Sequence, residues 1–118
     1  MSDNCIFCKI VDGKIPSARI HEDQDLIVIK DISPQAKVHW LVLPKVHVAH
    51  LDELSQQPEG ANLMGKLLSR AADVARENGL MPAGYRVVIN TNPAGGQTVY
   101  HLHAHVLGGQ NLAGSFGA

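Results

Sequence analysis

The chain carries no excess of charge of either sign, since 10 lysine and arginine residues stand against 11 aspartate and glutamate residues. It has no basic run, so the broad positive patch typical of nucleic-acid-binding proteins is missing. No stretch approaches the roughly 20 consecutive apolar residues needed to cross a membrane, and the opening residues do not resemble a signal peptide. We therefore expect a cytoplasmic protein that binds neither nucleic acid nor membranes.

Cysteine is also scarce, with only Cys5 and Cys8, which form a C-x-x-C pair. In a cytosolic protein such cysteines are usually reduced thiols, metal ligands or redox partners rather than a structural disulfide. The sequence has no repeat, linker or low-complexity segment, and its 118 residues give room for one core. We therefore expect a single domain over residues 1–118.

Hydrophobic periodicity predicts both helices and strands. Apolar residues recur at three- and four-residue spacing over residues 61–78, which predicts one long helix, and Gly79 follows where a left-handed cap belongs. Short apolar runs predict strands at residues 19–22, 26–30, 39–43, 86–91 and 99–107. The pattern therefore predicts an α+β fold with an antiparallel meander sheet.

Three histidines, His101, His103 and His105, alternate with apolar residues near the end of the chain. On a strand they would line one face, roughly 6.5 to 7 Å apart, with the apolar residues on the other face. The pattern has three interpretations: solvated polar positions of an amphipathic strand, metal ligands, or catalysis at phosphorus by one attacking imidazole and its neighbours.

The segment before these histidines, residues 90–99, favours the third interpretation. It contains asparagine, proline and the pair Gly95–Gly96, which are typical of turns and allow backbone amides to approach a ligand closely. These amides, the Thr98 hydroxyl and the Gln97 amide are suitable donors to a phosphate. We therefore expect a hairpin whose loop binds an anion beside the histidines.

The run GGQTVYHLHAHVLGG, residues 95–109, resembles the signature of the histidine triad superfamily. The likeness extends to residues 6–10, 31–35, 38–44 and 84–86, in the order found in the family, and so covers nearly the whole chain. It is strongest to the branch of histidine triad nucleotide-binding proteins, the purine nucleoside phosphoramidases. The resemblance implies the histidine triad fold, with a short N-terminal helix and a sheet that continues across a homodimer.

The resemblance also implies roles for four histidines. The middle triad histidine, His103, attacks the α-phosphorus and forms a nucleotidyl-histidine that water later hydrolyses. Its other ring nitrogen should donate to a fixed acceptor such as a backbone carbonyl. His105 should bind the phosphoryl oxygens, His39 should orient the set, and His101 is the first member of the triad.

By the same resemblance, the Asp31 carboxylate accepts hydrogen bonds from the two ribose hydroxyls of a purine nucleotide such as AMP or GMP. Apolar side chains contact the base, namely Ile6, Phe7, Ile10 and Ile32. Donors from the glycine-rich turn and its flanks bind the phosphate, namely Asn90, Gly96, Gln97, Thr98 and Val99. Ordinary core packing is the alternative for Ile6, Phe7 and Ile10, and a turn position is the alternative for Asp31.

A structural zinc site is the last implication. In family members with the cysteine pair, zinc is held by two thiolates matching Cys5 and Cys8, a histidine matching His47, and the first triad histidine, here His101. The spacing alone admits His50 as well as His47, because both follow the strand at residues 39–43. The alternative is that the cysteines are small buried hydrophobes and His50 starts a helix.

The resemblance therefore predicts a hydrolase that releases AMP or GMP from nucleoside phosphoramidates or aminoacyl adenylates, with structural zinc and no catalytic metal. A dinucleoside polyphosphate hydrolase is the alternative within enzymes. A regulatory nucleotide-binding module with little turnover is the alternative from another class. A metalloenzyme that uses the three triad histidines as ligands is the remaining one.

Overall fold

The computed structural model describes residues 4–114, and within them one antiparallel sheet is covered by helices on both faces. Its five strands follow the order β1-β2-β3-β5-β4. In chain order they are β1 Arg19–Glu22, β2 Leu26–Lys30, β3 Val38–Pro44, β4 Tyr85–Val88 and β5 Ala104–Gly108. The α+β prediction is confirmed, but the sheet is not a simple meander, because β5 lies between β3 and β4.

Helix α3, Gly60–Glu77, confirms the predicted long helix to within one residue at each end. Gly79 follows it with φ +82°, a left-handed conformation that glycine adopts without strain. The N–H of Leu80 donates to the carbonyl of Ala75 and the N–H of Gly79 to that of Arg76, which are the two bonds of a Schellman cap. The short N-terminal helix is α1, Ile6–Val11. A second short helix, α2 Leu51–Ser55, follows His50, which was expected to start a helix only as the alternative to binding zinc.

Alternating side chains divide the strands between two apolar layers. Leu26 and Val28 of β2 pack toward α3, whereas Ile27 and Ile29 pack toward α1. The whole of β2 is buried except Lys30, as expected for a strand covered on both faces. The layer around α1 matters for function because odd-numbered residues of β3 and β5 share that face.

The last strand begins later than its sequence pattern predicts. Residues 99–107 were expected to form one strand, but β5 starts at Ala104. The N–H of Leu102 donates to the carbonyl of Val48 at 2.7 Å, and the Leu102 side chain packs against Val48 and Leu54. The three histidines therefore do not line one strand face: His101 and His103 precede β5, and only His105 lies on it.

The end of β4 also differs from prediction. β4 ends at Val88 rather than at residue 91, so the expected hairpin is a long connection to β5 that contains a 3₁₀ turn at Pro93–Gly95. Residues 1–3 and 115–118 lie outside the described part of the chain, which leaves the outer limits of the predicted 1–118 domain untested. Among residues 4–114, no helix is both long and apolar enough to span a membrane.

Candidate active site and metal centre

His39 and His105 meet on the α1 face of the sheet. His105 lies opposite Leu41 in the register of β3 and β5, and His39 is two residues away on β3, so the two are diagonal neighbours. The His39 Nε2 atom is 2.9 Å from His105 Nδ1. This pair joins two strands that are far apart in sequence.

The partners of His39 determine where its proton lies. The backbone N–H of Gln35 donates to His39 Nδ1 at 3.0 Å, so Nδ1 holds a lone pair and the ring proton sits on Nε2. His39 Nε2–H then donates to His105 Nδ1, which places the proton of a neutral His105 on its own Nε2. His105 therefore presents an N–H donor on the side away from His39.

His103 carries its ring proton on Nδ1, whereas neutral His105 carries its proton on Nε2. The His103 Nδ1 lies 2.8 Å from the backbone carbonyl oxygen of His101 and must donate to it, which leaves an unprotonated lone pair on Nε2. The rings of His103 and His105 are 5.0 Å apart between centroids. The site thus combines a nitrogen lone pair and a nitrogen donor on adjacent rings.

Burial favours the neutral form of both rings. Removal from water lowers the pKa of His105 to about 4, with a further lowering from His103 and His39 and an opposing effect of Asp31. Burial also lowers the pKa of His103, against the opposing hydrogen bond to the His101 carbonyl. Both imidazoles are therefore uncharged near pH 7.

Asp31 lies at the edge of this cluster. Its Oδ2 is 3.4 Å from His39 Nε2, and its Oδ1 accepts the N–H of Ser33 at 2.8 Å, as in an Asx turn. Its side chain is 19% exposed. The residue is a turn residue and also a carboxylate that a ligand can reach, so the two interpretations of Asp31 are compatible.

The loop before the triad is held in an unusual backbone conformation. Asn92 has φ +62° and Gly96 has φ +90°. The Gln97 side chain is buried: its carbonyl accepts the Asn92 N–H, and its amide donates to the carbonyls of Ala49 and Val99. Both amide hydrogens are thereby used inside the protein, which corrects the expectation that the Gln97 amide donates to a phosphate.

The other predicted phosphate contacts lie in the same loop or directly beside it. A Cβ built on Gly96 would lie 3.9 Å from the Asn90 side chain, so the turn packs closely over Asn90. Thr98 and Val99 line a cavity of about 410 Å³ together with Cys5, Ile6 and His47. Their contacts with phosphate stay predictions.

The four predicted base contacts differ widely in exposure. Ile32 is 96% exposed and Ile6 is 45% exposed, whereas Phe7 and Ile10 are 8% and 7% exposed. Phe7 and Ile10 belong to the core layer under α1. Core packing therefore accounts for these two, while Ile6 and Ile32 are available to a ligand.

The first triad histidine belongs to a different cluster. His101 is fully buried, its Nε2 donates to the carbonyl of Pro44 at 2.8 Å, and its Nδ1 lies 3.3 Å from Cys5 Sγ and 3.5 Å from Cys8 Sγ. His47 Nδ1 lies 3.2 Å from Cys8 Sγ. The ligand atoms of these four residues are all within 4.8 Å of one another.

These distances fit zinc. Tetrahedral bonds of the usual lengths place sulfur and nitrogen ligands about 3.5 Å apart. A ligating histidine ordinarily donates its other ring N–H to a carbonyl or carboxylate, as His101 does to Pro44. With four protein donors and no open position, Cys5, Cys8, His47 and His101 form a closed site of the structural kind.

His50 is not part of this set. It is the N-cap of α2, and its Nδ1 accepts the N–H of Glu53 at 3.2 Å. The geometry therefore selects His47 over His50, a choice that the spacing had left open. It also separates the triad, because in residues 4–114 His101 faces the cysteines while His105 faces His39. This separation argues against a metal bound by all three triad histidines.

Two partners of the site gave no signal in the sequence. They are the Gln35 N–H and the Pro44 carbonyl, which set the tautomers of His39 and His101. Every residue carries such backbone groups, so only their position in the fold reveals them.

The chain is similar to known proteins over most of its length. The family model described as "Scavenger mRNA decapping enzyme C-term binding" matches residues 4–116. The chain is 39% identical to the purine nucleoside phosphoramidase of Escherichia coli (strain K12) over 112 residues, which are 95% of this chain and 92% of that protein.

Two solved structures are similar over nearly the whole chain. A HIT family hydrolase from Clostridium thermocellum has a TM-score of 0.92 at 40% identity, over 98% of this chain and 99% of that one. A zinc-bound histidine triad family protein from Mycobacterium smegmatis has a TM-score of 0.77 at 40% identity, over 96% of this chain and 81% of that one. The chain therefore belongs to the histidine triad superfamily.

Proposed function

We propose that this protein hydrolyses purine nucleoside 5'-phosphoramidates and related aminoacyl adenylates through a nucleotidyl-histidine, with release of AMP or GMP. The observation that carries the proposal is the pair of complementary tautomers: a lone pair on His103 Nε2 beside an N–H on His105 Nε2. A nucleophile and a donor side by side suit attack on a phosphorus atom that carries negatively charged oxygens.

In the first step, His103 Nε2 attacks the α-phosphorus and the bond from phosphorus to the leaving amine breaks. The amine leaves with a proton taken from water. His103 becomes an imidazolium bonded to phosphorus, and its Nδ1–H stays on the His101 carbonyl, which is a suitable partner for the developing positive charge. His105 Nε2–H donates to a phosphoryl oxygen throughout the step.

In the second step, a water molecule attacks phosphorus and the bond from phosphorus to Nε2 breaks. The electron pair returns to His103, and the water proton goes to solvent, where it balances the proton that the amine took. Over both steps one water is consumed, and His103 returns to its starting tautomer. No step of this proposal uses a metal ion.

Other residues bind and orient the nucleotide in this proposal. Asp31 accepts from the ribose hydroxyls, and the exposed Ile6 and Ile32 contact the base. Asn90, Gly96, Thr98 and the backbone of Val99 surround the phosphate. Zinc at the closed site would hold helix α1 against the segment that contains His101.

We also propose that the single domain acts in the cytoplasm as a homodimer. Strand β4 forms one edge of the sheet, and all four of its residues are half-buried. A second copy pairing along β4 would continue the sheet and cover this edge. Sedimentation at micromolar concentration tests this, and a monomer at that concentration would contradict it.

The function is tested with a fluorogenic adenosine phosphoramidate. We expect turnover by the wild type with and without EDTA, provided that zinc is retained, and a loss of at least about 1000-fold in His103→Ala. His50→Ala is the matched control, since it also removes a histidine side chain, but one whose role is to cap α2.

Three results would argue against the proposal. Undiminished turnover by His103→Ala would exclude His103 as nucleophile. Faster cleavage of a dinucleoside polyphosphate than of the phosphoramidate would favour that class of substrate. AMP binding without turnover of either substrate would favour a regulatory module.

A further inference from the structure

We propose that Phe7, carried on helix α1, is a positioning residue that fixes the orientation of the His103 ring. The proposal rests on the proposed function of His103 as nucleophile. It assigns Phe7 a role other than the base contact that the family resemblance implies.

The contact itself is direct. The rings of Phe7 and His103 have centroids 5.0 Å apart and planes at 87°, an edge-to-face arrangement. Phe7 makes a second edge-to-face contact with His101, at 6.0 Å and 76°. One side chain therefore touches both the nucleophile and the residue whose carbonyl holds the nucleophile's proton.

His103 needs such a contact. Its hydrogen bond to the His101 carbonyl fixes Nδ1 but leaves the ring free to tilt about that atom. A ring packed against its flank removes this tilt, so Nε2 points in one direction. Attack on phosphorus depends on that direction, because a misplacement of about 1 Å can cost a factor of about 100 in rate.

Helix α1 is able to act as a support only if it is itself held in place. It has six residues, far fewer than an isolated helix needs for stability in water. Cys5 caps its N-terminus, with Sγ accepting the N–H of Cys8 at 3.2 Å, and both thiols face the histidine ligands. Phe7 lies between these two cysteines in sequence, so a zinc ion held at this site would fix the chain on both sides of it.

Exposure distinguishes support of His103 from contact with the base. Phe7 is 8% exposed and its ring packs against two imidazoles, whereas the neighbouring Ile6 is 45% exposed. A base contact binds substrate and transition state alike, so its loss raises KM and weakens AMP binding. A positioning contact acts on the reacting atom, so its loss lowers kcat.

The test compares zinc-loaded wild type, Phe7→Leu and Val11→Ala. Leucine keeps an apolar side chain at position 7 but removes the aromatic ring. Val11 lies on the same helix and packs on the same core layer without belonging to the site, so Val11→Ala controls for general loosening of α1. Zinc content and thermal unfolding are measured for all three proteins.

We expect Phe7→Leu to lower kcat about 10-fold, within the range of effects that aromatic contacts and small misplacements produce. AMP affinity should stay within about 2-fold of wild type, a change too small for a lost binding contact. In protein labelled with ¹⁵N-histidine, the Nδ1–H signal of His103 should be sharp in wild type and Val11→Ala and broadened by exchange with water in Phe7→Leu.

Unchanged kcat with weaker AMP binding in Phe7→Leu would overturn the proposal and leave Phe7 as a base contact. An equal loss of kcat in Val11→Ala would overturn it too, since any loosening of α1 would then suffice. If the wild type does not turn over the phosphoramidate, the proposed function fails. The ¹⁵N spectra would still decide whether Phe7 orients His103.

Discussion

His39 offers the sharpest test of the hydrogen-bond chain, because two substitutions can each remove one half of its role. The ring accepts the Gln35 N–H through Nδ1 and donates to His105 through Nε2. In His39→Asn, the side-chain carbonyl can take the place of Nδ1 but nothing reaches His105. In His39→Gln, the amide can take the place of Nε2 while the Gln35 N–H loses its acceptor.

The two variants should lose similar stability and different amounts of activity. Each variant removes one of the two hydrogen bonds of His39, and because Gln35 is exposed and His105 half-buried, the cost should be about 0.5–1.5 kcal/mol in each case. Only His39→Asn frees His105 to move its proton to Nδ1 and present a lone pair to the phosphoryl oxygen. Loss of one hydrogen-bond donor to a developing oxyanion lowers kcat by about 100- to 1000-fold. We expect a loss of about 100-fold in His39→Asn. His39→Gln should keep kcat within about 10-fold of wild type, because it retains that donor.

The assay is kcat for the adenosine phosphoramidate, measured alongside urea unfolding of both variants. Equal losses of kcat in the two variants would refute the assignment of tautomers, since the Gln35 contact would then matter as much as the His105 contact. Full activity of His39→Asn would refute the role of His105 as a donor.

Three further predictions concern metal, pH and packing. Cys8→Ser should weaken zinc binding by more than about 100-fold in a chelator competition, as it removes a direct ligand; unchanged affinity would contradict the site. The pKa of His105 is lowered to about 4, so the unfolded chain takes up this proton first and the free energy of unfolding should fall as pH drops from about 6.5 toward 4. Urea titrations should show a shallower fall in His105→Asn, and parallel curves would contradict this. Gly60→Ala should destabilise the fold by about 1–3 kcal/mol, because a Cβ there overlaps the Leu54 carbonyl oxygen. In thermal unfolding, Gly65→Ala, which meets nothing within 4 Å, should not lower stability, and equal losses would contradict the packing argument.

Local patterns predicted the elements that local physics controls. The period of apolar residues placed α3 within one residue at each end, and Gly79 marked its cap, since both depend on neighbours along the helix. The first two strands, β1 and β2, were also placed correctly. The start of β5 was wrong because Val48, far away in sequence, takes the Leu102 N–H that a longer strand would have paired elsewhere.

In the candidate site, too, the residue types could be predicted from the sequence, whereas several of their contacts could not. The sequence indicated which residue types take part, since alternating histidines, a cysteine pair and a glycine-rich turn are unusual patterns. It did not indicate that the Gln97 amide is used within the protein, because its partners are the backbone carbonyls of Ala49 and Val99. Its spacing admitted both His47 and His50 while the family resemblance pointed to His47, and the geometry places His47 at the thiols and His50 at a helix end.

The sequence by itself therefore determined the family, the long helix and the set of chemically active side chains, because these depend on residue identity and short-range spacing. The tertiary structure alone decided what each histidine can do. A neutral imidazole has one proton and two nitrogens, and the partner of one nitrogen fixes the state of the other. For His39, His101 and His103 that partner is a backbone group. Whether a given histidine is a nucleophile, a donor or a metal ligand thus depends on which peptide group the fold brings to its ring.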